Sequence, residues 1–371
     1  MTINMDYQDA IGFVRKHAFP SERHELLPAP TRPYRYGKTT IHLTYFSMPD
    51  WLAVLSAAAL HKTGDESTPV IDVLRSMALE SDLPSTVIDF MWLNCMVPAD
   101  RERTFHRLVL AYKTAAEQHQ RSVEDCLKLF ARKGSGRALL AELGRTNHVI
   151  TVVPHWLYFM TLPDEGYSNA SAAGIRRGQT FSHLTDGIDY DARDILAKGV
   201  RVGRTVGTGR GADVIVYFSA GAFTDVIYKD YNTGEPGNEP DEVLYHELSH
   251  ATRIIRGKET HAAVTGRSNF PNTEEYFATV ITNIYLSEKG SQLIDKYAPD
   301  SQLHAMKGWS VMTDPSGFYG NNDHLSIPPS RLMDEFKRTQ REFYRDLAIL
   351  PIPPWFNPVR THYRLTERIS V

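Results

Sequence analysis

The hydrophobic positions of the chain follow a helical period most clearly between Asn238 and Gly257. Four apolar residues recur at i, i+4, i+7 and i+11, the rhythm of one buried helical stripe: Leu244, Leu248, Ala251 and Ile255. Asn238 can cap this helix, Pro240 suits its first turn, and Gly257 can end it. The stretch therefore predicts an amphipathic helix with one face in the core.

A second strong helix is predicted from Asn272 to about Lys289, with Asn272 as its cap and Gly290 as its stop. Weaker helical patterns lie at Trp51–His61, Val70–Leu79, Thr86–Cys95, Asp100–Lys133, Arg137–Leu143 and Arg331–Leu347. Alternating patterns typical of strands lie at Thr39–Phe46, Val149–Val153 and Asp213–Ser219. Residues 158–211 are rich in Gly, Ser, Asp and Thr and are predicted to be mainly loops. These elements predict an α+β fold.

A change of composition at residues 132–136, RKGSG, predicts a domain boundary. Residues 1–133 are then a mainly helical N-terminal region that serves in docking or delivery. Residues 134–350 form the second domain and contain both strong helices. Residues 351–371, which begin PIPPWFNP, are predicted to be an extended proline-rich tail in which Trp355 and Phe356 pack back onto the domain.

Composition and charge exclude several classes of function. The chain has 371 residues, 42% of them hydrophobic, which is enough for a sizeable core. The net charge of −3 gives no electrostatic reason to expect nucleic acid or an anionic membrane as a partner. The N-terminus lacks a continuous apolar segment, and the longest apolar stretch is too short to span a bilayer. We expect synthesis in the cytoplasm without a cleavable signal peptide, so that any export uses another route.

The first predicted helix carries the motif H-E-x-x-H, formed by His246, Glu247 and His250. Because four residues make slightly more than one turn, both imidazoles leave the same helix face and can bind one Zn²⁺. Glu247 adjoins the first ligand, where hydrolysis needs a general base for a metal-activated water. The alternative is a partly buried helix that carries two histidines without binding metal.

The third ligand is expected on the second helix, since catalytic zinc uses three protein ligands and leaves one position open. No cysteine lies nearby, so the candidates are Glu274 and Glu275. Helix phase slightly favours Glu274, which shares a face with Phe277 and Ile281. Glu275 has an alternative role as a capping-box glutamate paired with Asn272.

These motifs resemble the zincin metallopeptidases of the gluzincin type, in which a glutamate on the next helix completes H-E-x-x-H. Residues 275–278, EYFA, are similar to the ligand helix of anthrax lethal factor, and clostridial neurotoxin light chains also use the second glutamate of an E-E pair. The resemblance implies that Glu275 is the third ligand of one zinc ion and leaves Glu274 as runner-up or supporting partner. It also implies a zincin-like domain with a small mixed sheet.

The wider resemblance is to bacterial secreted-effector metallopeptidases, including type III effector endopeptidases and peptidase domains fused to type VI spike proteins. The similar blocks are residues 134–143, 148–154, 207–219, 245–251 and 273–290. The resemblance implies a toxin-like zinc endopeptidase that is secreted or delivered into a target cell and cleaves a protein or peptide there. An immunity protein or a secretion-system component are the implied partners.

The sequence leaves alternatives for two features of such a site. The group that stabilises the oxyanion has four candidates: Tyr319, His304, His324 and Arg331. The strand Asp213–Ser219 either pairs with extended substrate or is a plain core strand. Two other functions compete with the endopeptidase: a catalytically inactive zincin-like binding protein, and an amidase that acts on a cell-wall peptide.

Overall fold

The structure is a computed structural model, and it describes residues 29–47, 98–154, 178–183, 211, 213–218, 239–258, 273–294, 318–319, 329–351 and 354–367. The predicted helices Trp51–His61, Val70–Leu79 and Thr86–Cys95 lie outside these residues. The described residues fall into two compact units: 29–32, 43–47, 98–122 and 153–154 in the first, and the remainder in the second.

Helices and a small sheet make up the described parts of the chain. The helices are α1 (Pro98–Arg132), α2 (Gly134–Leu143), α3 (Pro240–Ile254), α4 (Thr273–Lys289), α5 (Pro329–Thr339), α6 (Arg341–Ala348) and α7 (Pro358–Glu367). The strands are β1 (Thr31–Tyr36), β2 (Thr39–Thr44), β3 (Ile150–Val153), β4 (Gly178–His183) and β5 (Asp213–Phe218). This arrangement confirms the predicted α+β class.

The strands form one five-stranded sheet in the order β1-β2-β3-β5-β4. β4 pairs with β5 in antiparallel register, from Gly178 opposite Phe218 to His183 opposite Asp213. β4 lies in the segment that the sequence assigned mainly to loops, and that assignment was wrong there. β5 has a neighbour on each side, so both of its edges are already paired, which is the arrangement of a core strand.

In the first unit, polar side chains of α1 satisfy backbone carbonyls of nearby extended segments. The Tyr112 hydroxyl donates to the carbonyl of Phe46 at 2.8 Å. The Gln120 amide nitrogen donates to the carbonyls of Pro30 and Leu43, each at 3.0 Å. Since buried carbonyls need partners, these bonds fix the path of the chain around α1.

In the second unit, α3 is the central element. It packs against α4, α2 and the strands β4 and β5, and its apolar stripe is buried throughout. α2 in turn packs against α6 and α4, and α6 packs against α5 and α7. The two helices that the sequence predicted most clearly, α3 and α4, are therefore neighbours in the structure. A site built from residues of both helices lies where they meet.

The C-terminal part differs from the expectation in three ways. The helix predicted at Arg331–Leu347 is broken into α5 and α6 at Gln340, whose φ of −135° and ψ of 53° are not helical. The buried Gln340 side chain donates to the carbonyl of Thr252 at 3.2 Å. The stretch predicted as an extended tail contains α7. Phe356 is buried as expected, but Trp355 is 58% exposed. Within the described residues, no helix is long and apolar enough to span a membrane.

Candidate metal centre

The ends of α3 are defined by local backbone chemistry. Glu242 accepts a hydrogen bond from the backbone of Glu239 at 3.4 Å, which makes the first turn a capping box, and Pro240 follows the cap. At the other end Gly257 has φ of +60°, and Lys258 N donates to the carbonyl of Arg253 at 2.9 Å. Only glycine adopts this left-handed ending at little cost. The cap of α3 is Glu239, so the prediction of Asn238 as the cap was wrong.

The structure brings together the two histidines of the motif and one glutamate of the neighbouring helix. His246 Nε2 lies 3.2 Å from His250 Nε2 and 3.2 Å from Glu275 Oε2. His250 Nε2 lies 3.4 Å from the same Glu275 oxygen. These three residues form a group of ligand atoms close enough to hold one metal ion.

The triangle has the dimensions that a zinc ion requires. A tetrahedral zinc with bonds of about 2.0–2.1 Å keeps its ligand atoms about 3.3–3.4 Å apart, because a tetrahedron's edge is about 1.6 times its centre-to-corner distance. The three distances of 3.2, 3.2 and 3.4 Å fit that spacing. Two imidazole nitrogens and a carboxylate oxygen are also donor types that zinc binds. The residues present fit a divalent metal.

A threonine of α4 lies beside the first histidine and favours one of its tautomers. Thr282 Oγ1 donates its proton to the carbonyl of Ala278 at 2.8 Å and lies 3.4 Å from His246 Nδ1. Since a hydroxyl has one proton, Thr282 can only accept from the Nδ1–H of His246. The lone pair of His246 is then on Nε2, the atom that faces Glu275.

The carboxylates set the charge of the site. Burial alone lowers the pKa of His250, but Glu275 and then Glu274 raise it well above its ordinary value, and the charge of Glu247 adds to this. Burial raises the pKa of Glu275, yet the two histidines outweigh it and hold that pKa far below the ordinary range. Three carboxylates near two imidazoles give the site a negative charge that favours a bound cation.

The two glutamates of α4 have different surroundings. Glu275 Oε2 faces both histidine Nε2 atoms, and the Glu275 side chain is 21% exposed. Glu274 is 4% exposed, and its Oε1 lies 3.7 Å from Nδ1 of His250, on the side away from the ligand triangle. Helix phase slightly favoured Glu274 as the ligand, but in the structure Glu275 is the glutamate that faces both Nε2 atoms.

Two of the four candidate oxyanion residues, Tyr319 and Arg331, lie among the described residues. The Tyr319 hydroxyl donates to the carbonyl of Pro358 at 2.6 Å, and Arg331 is exposed on α5. His304 and His324 lie outside the described residues. Among the described contacts of Tyr319 and Arg331, none reaches the ligand triangle, so the oxyanion role stays a prediction.

Arg253 was not singled out from the sequence. The Arg253 side chain is 1% exposed, and its Nε donates to Glu274 Oε2 at 2.9 Å. The available signal was its spacing, because a residue three positions after His250 shares a helix face with it. A basic side chain on a metal-binding face is unexpected unless it pairs with a carboxylate.

The comparisons with known proteins agree with the class of site that this geometry defines. Residues 109–283 match the model of the family Peptidase M91, described as Effector protein. The matched segment contains His246, Glu247, His250 and Glu275. No curated protein and no solved structure matches the chain significantly. The family match supports a peptidase effector.

Proposed function

We propose that this chain is a zinc-dependent endopeptidase of the zincin type, with His246, His250 and Glu275 as the metal ligands. One observation carries the proposal: three ligand atoms from two packed helices lie 3.2–3.4 Å apart, at the spacing of a zinc coordination sphere. The family match adds independent support for peptidase chemistry. Zinc, when bound, polarises a carbonyl and lowers the pKa of a water molecule.

Each residue of the site has a separate role in this proposal. The Nε2 atoms of His246 and His250 and Oε2 of Glu275 hold the metal. Thr282 favours the Nδ1–H tautomer of His246. Glu247, which follows His246 on α3 and is partly buried, accepts a proton from the attacking water at its carboxylate and passes it to the leaving amine. A general base of this kind contributes about 10²–10⁴-fold to the rate.

The sheet offers a place for extended substrate. Among the described strands, β4 has a neighbour only on the side of β5. β4 also packs against α3, the helix that carries both histidines. A peptide that adds to this edge as a further strand would satisfy its backbone hydrogen bonds on a strand that packs against the histidine-bearing helix. This supports a polypeptide as the substrate class.

The description of the matched family supports an effector that acts on a protein in a target cell after delivery. The proposal includes delivery by a bacterial secretion system and an immunity protein as a partner. An inactive binding protein and a cell-wall amidase remain the competing functions, and they predict different results in the same experiment.

The test compares the purified full chain with two variants. Glu247→Gln is expected to bind zinc like the wild type, by metal analysis, and to lose proteolysis. His250→Ala is expected to lose both zinc and activity. Activity is measured by labelling new N-termini in a proteome digest, with and without a chelator. Zinc retention in His250→Ala would count against the ligand assignment.

The same samples separate the rival functions. Zinc binding without new N-termini, but with release of peptides from peptidoglycan fragments, would favour the amidase. Zinc binding without either product would favour the binding protein. Chelator-sensitive new N-termini that are absent from Glu247→Gln support the endopeptidase.

A further inference from the structure

Arg253 is a buried arginine on α3, three residues after the metal-ligand candidate His250. Its side chain is 1% exposed, which is unusual for a guanidinium group. Burial of an ion is costly unless hydrogen bonds and an opposite charge compensate for it. The position of Arg253 therefore calls for a specific partner.

The contacts of Arg253 come from three directions. Its Nε donates to Glu274 Oε2 at 2.9 Å, and its Nη2 donates to the carbonyl of Lys258. Nη2 also lies 3.5 Å from Glu335 Oε1 on α5. The guanidinium carbon lies 4.6 Å from the ring centroid of Phe277. These contacts hold the guanidinium in one orientation.

Glu274 connects this arginine to the metal centre. One oxygen, Oε2, accepts from Arg253 at 2.9 Å, and the other, Oε1, lies 3.7 Å from Nδ1 of His250. The latter distance is that of an ion pair rather than a hydrogen bond. A carboxylate near the non-ligating nitrogen of a metal-binding histidine attracts its N–H and so favours one ring orientation. Arg253 holds that carboxylate from its other oxygen.

We propose that Arg253 is a positioning residue of the metal centre, which anchors Glu274 so that Glu274 orients His250 toward the metal. The inference rests on the proposed zinc function and adds a residue that the H-E-x-x-H motif does not contain. It assigns the two histidines different supports: Thr282 for His246, and the Arg253–Glu274 pair for His250.

The same pair accounts for the choice between two adjacent glutamates. Glu274 and Glu275 are neighbours in the first turn of α4, and either carboxylate could bind a cation. Arg253 neutralises Glu274 and holds one of its oxygens away from the ligand triangle. Glu275 instead directs its Oε2 towards the Nε2 atoms of both histidines, at 3.2 and 3.4 Å.

The test measures the zinc dissociation constant of the full chain by competition with a chromophoric chelator. Arg253→Met retains the alkyl chain and removes the guanidinium, and Glu274→Gln retains the shape and removes the charge. Each is expected to weaken zinc binding by about 10–100-fold, the usual effect of removing a group that supports a metal ligand. Peptidase activity is not needed for this readout.

A double-mutant cycle separates positioning from a general loss of structure. If Arg253 acts through Glu274, the double variant Arg253→Met/Glu274→Gln binds zinc about as well as Glu274→Gln alone. Glu335→Gln is the matched control, because it removes another carboxylate from Arg253 without touching Glu274. The Glu335→Gln variant is expected to keep a zinc dissociation constant within about twofold of the wild type, because Glu335 is not part of the metal centre.

The outcomes are distinct. Equal zinc binding by wild type and a folded Arg253→Met overturns the inference, as does an additive loss in the double variant. If Arg253→Met does not fold, Arg253→Lys takes its place. Lysine keeps the charge but not the planar geometry, so an unchanged dissociation constant there also overturns the inference. A wild-type chain that binds no zinc instead overturns the proposed function.

Discussion

Tyr245 of α3 stacks on Tyr285 of α4 with ring centroids 4.4 Å apart and ring planes 7° apart. Phe130 of α1 contacts both rings edge-on, at 5.4 Å and 5.5 Å. Tyr245 directly precedes His246, and Tyr285 lies on the helix that carries Glu275. Since aromatic packing of this kind fixes distance and rotation, the stack sets how the two ligand-bearing helices meet.

Removing the Tyr285 ring is expected to weaken both folding and metal binding. The Tyr285 hydroxyl donates to Asp241 Oδ2 at 2.6 Å, and Lys289 donates to the same oxygen at 2.8 Å. Tyr285→Phe loses only the hydroxyl bond and is expected to cost about 1–2 kcal/mol of unfolding free energy. Tyr285→Ala also loses the stack and is expected to cost about 3–5 kcal/mol.

Urea unfolding and zinc titration of both variants check this expectation. Tyr285→Phe keeps the stack, so its affinity for zinc is expected to match the wild type. Tyr285→Ala is expected to bind zinc more weakly, because α3 and α4 are no longer held in register. Equal zinc affinity in a folded Tyr285→Ala would show that the stack does not set the geometry of the ligand triangle.

Metal removal is expected to lower the stability of the chain. A ligand that binds only the folded state adds about 2.7 kcal/mol when its free concentration is 100 times its dissociation constant. Zinc titrated into a chelator-treated sample should therefore raise the unfolding midpoint, and further chelator should reverse the change. His246→Ala provides the control, since a variant that lacks one ligand should show little of this shift. A zinc response of equal size in His246→Ala would argue for binding elsewhere.

The sequence predicted the elements whose determinants are local. α3 was expected between Asn238 and Gly257 because apolar periodicity, Pro240 and a terminal glycine all lie within the segment. The same holds for α4, predicted to begin at Asn272 and described from Thr273. In both cases the pattern needs no information from distant residues.

The features that the sequence did not predict depend on distant partners. Arg253 is buried because Glu274 and Glu335, which are far away in the chain, neutralise it. At Gln340 the backbone leaves the helical region while the side chain bonds to the distant carbonyl of Thr252, and no proline or glycine in the local sequence stops a helix there. β4 has few strand-forming residues and becomes a strand by pairing with β5. Such tertiary contacts override local propensity.

Gly136→Ala is expected to destabilise the chain although alanine favours helices. Residue 136 lies in α2, where the change from glycine alone would add about 1 kcal/mol of stability. A Cβ at this position would, however, lie 2.3 Å from the backbone oxygen of Phe130. The backbone cannot move aside as a flexible side chain can, and overpacking of this kind costs about 1–3 kcal/mol or more. We expect a net loss in urea unfolding.

Gly37→Asn is the matched control for the glycine experiment. Gly37 has φ of +56°, but a Cβ there would have no atom within 4 Å. Asparagine tolerates this left-handed conformation better than other residues, so the change is expected to cost less than about 1 kcal/mol. A Gly136→Ala variant as stable as Gly37→Asn would contradict the close approach of α2 to α1.

His119 is expected to make the first unit sensitive to acid. The sequence places it on a charged helix, yet its Nε2 is buried with no hydrogen-bond partner among the described residues, and its ring lies 5.7 Å from that of Tyr45. Burial lowers the pKa of His119 to about 3. In the unfolded chain a histidine has a pKa of about 6.5. Between these values the unfolded state binds a proton that the folded state does not.

The sign of the effect follows from this difference in proton binding. The stability contributed by neutral His119 is fully present above about pH 6.5 and falls as the pH drops towards 3, by on the order of 2 kcal/mol at pH 5. His119→Leu removes the titrating group, so its unfolding free energy is expected to fall less than that of the wild type between pH 7.5 and pH 5. Gln118→Leu, at the exposed neighbouring position, adds the same side chain and should keep the wild-type slope. Urea unfolding at both pH values gives the comparison, and parallel losses in all three proteins would mean that His119 is solvated and protonated in the folded state.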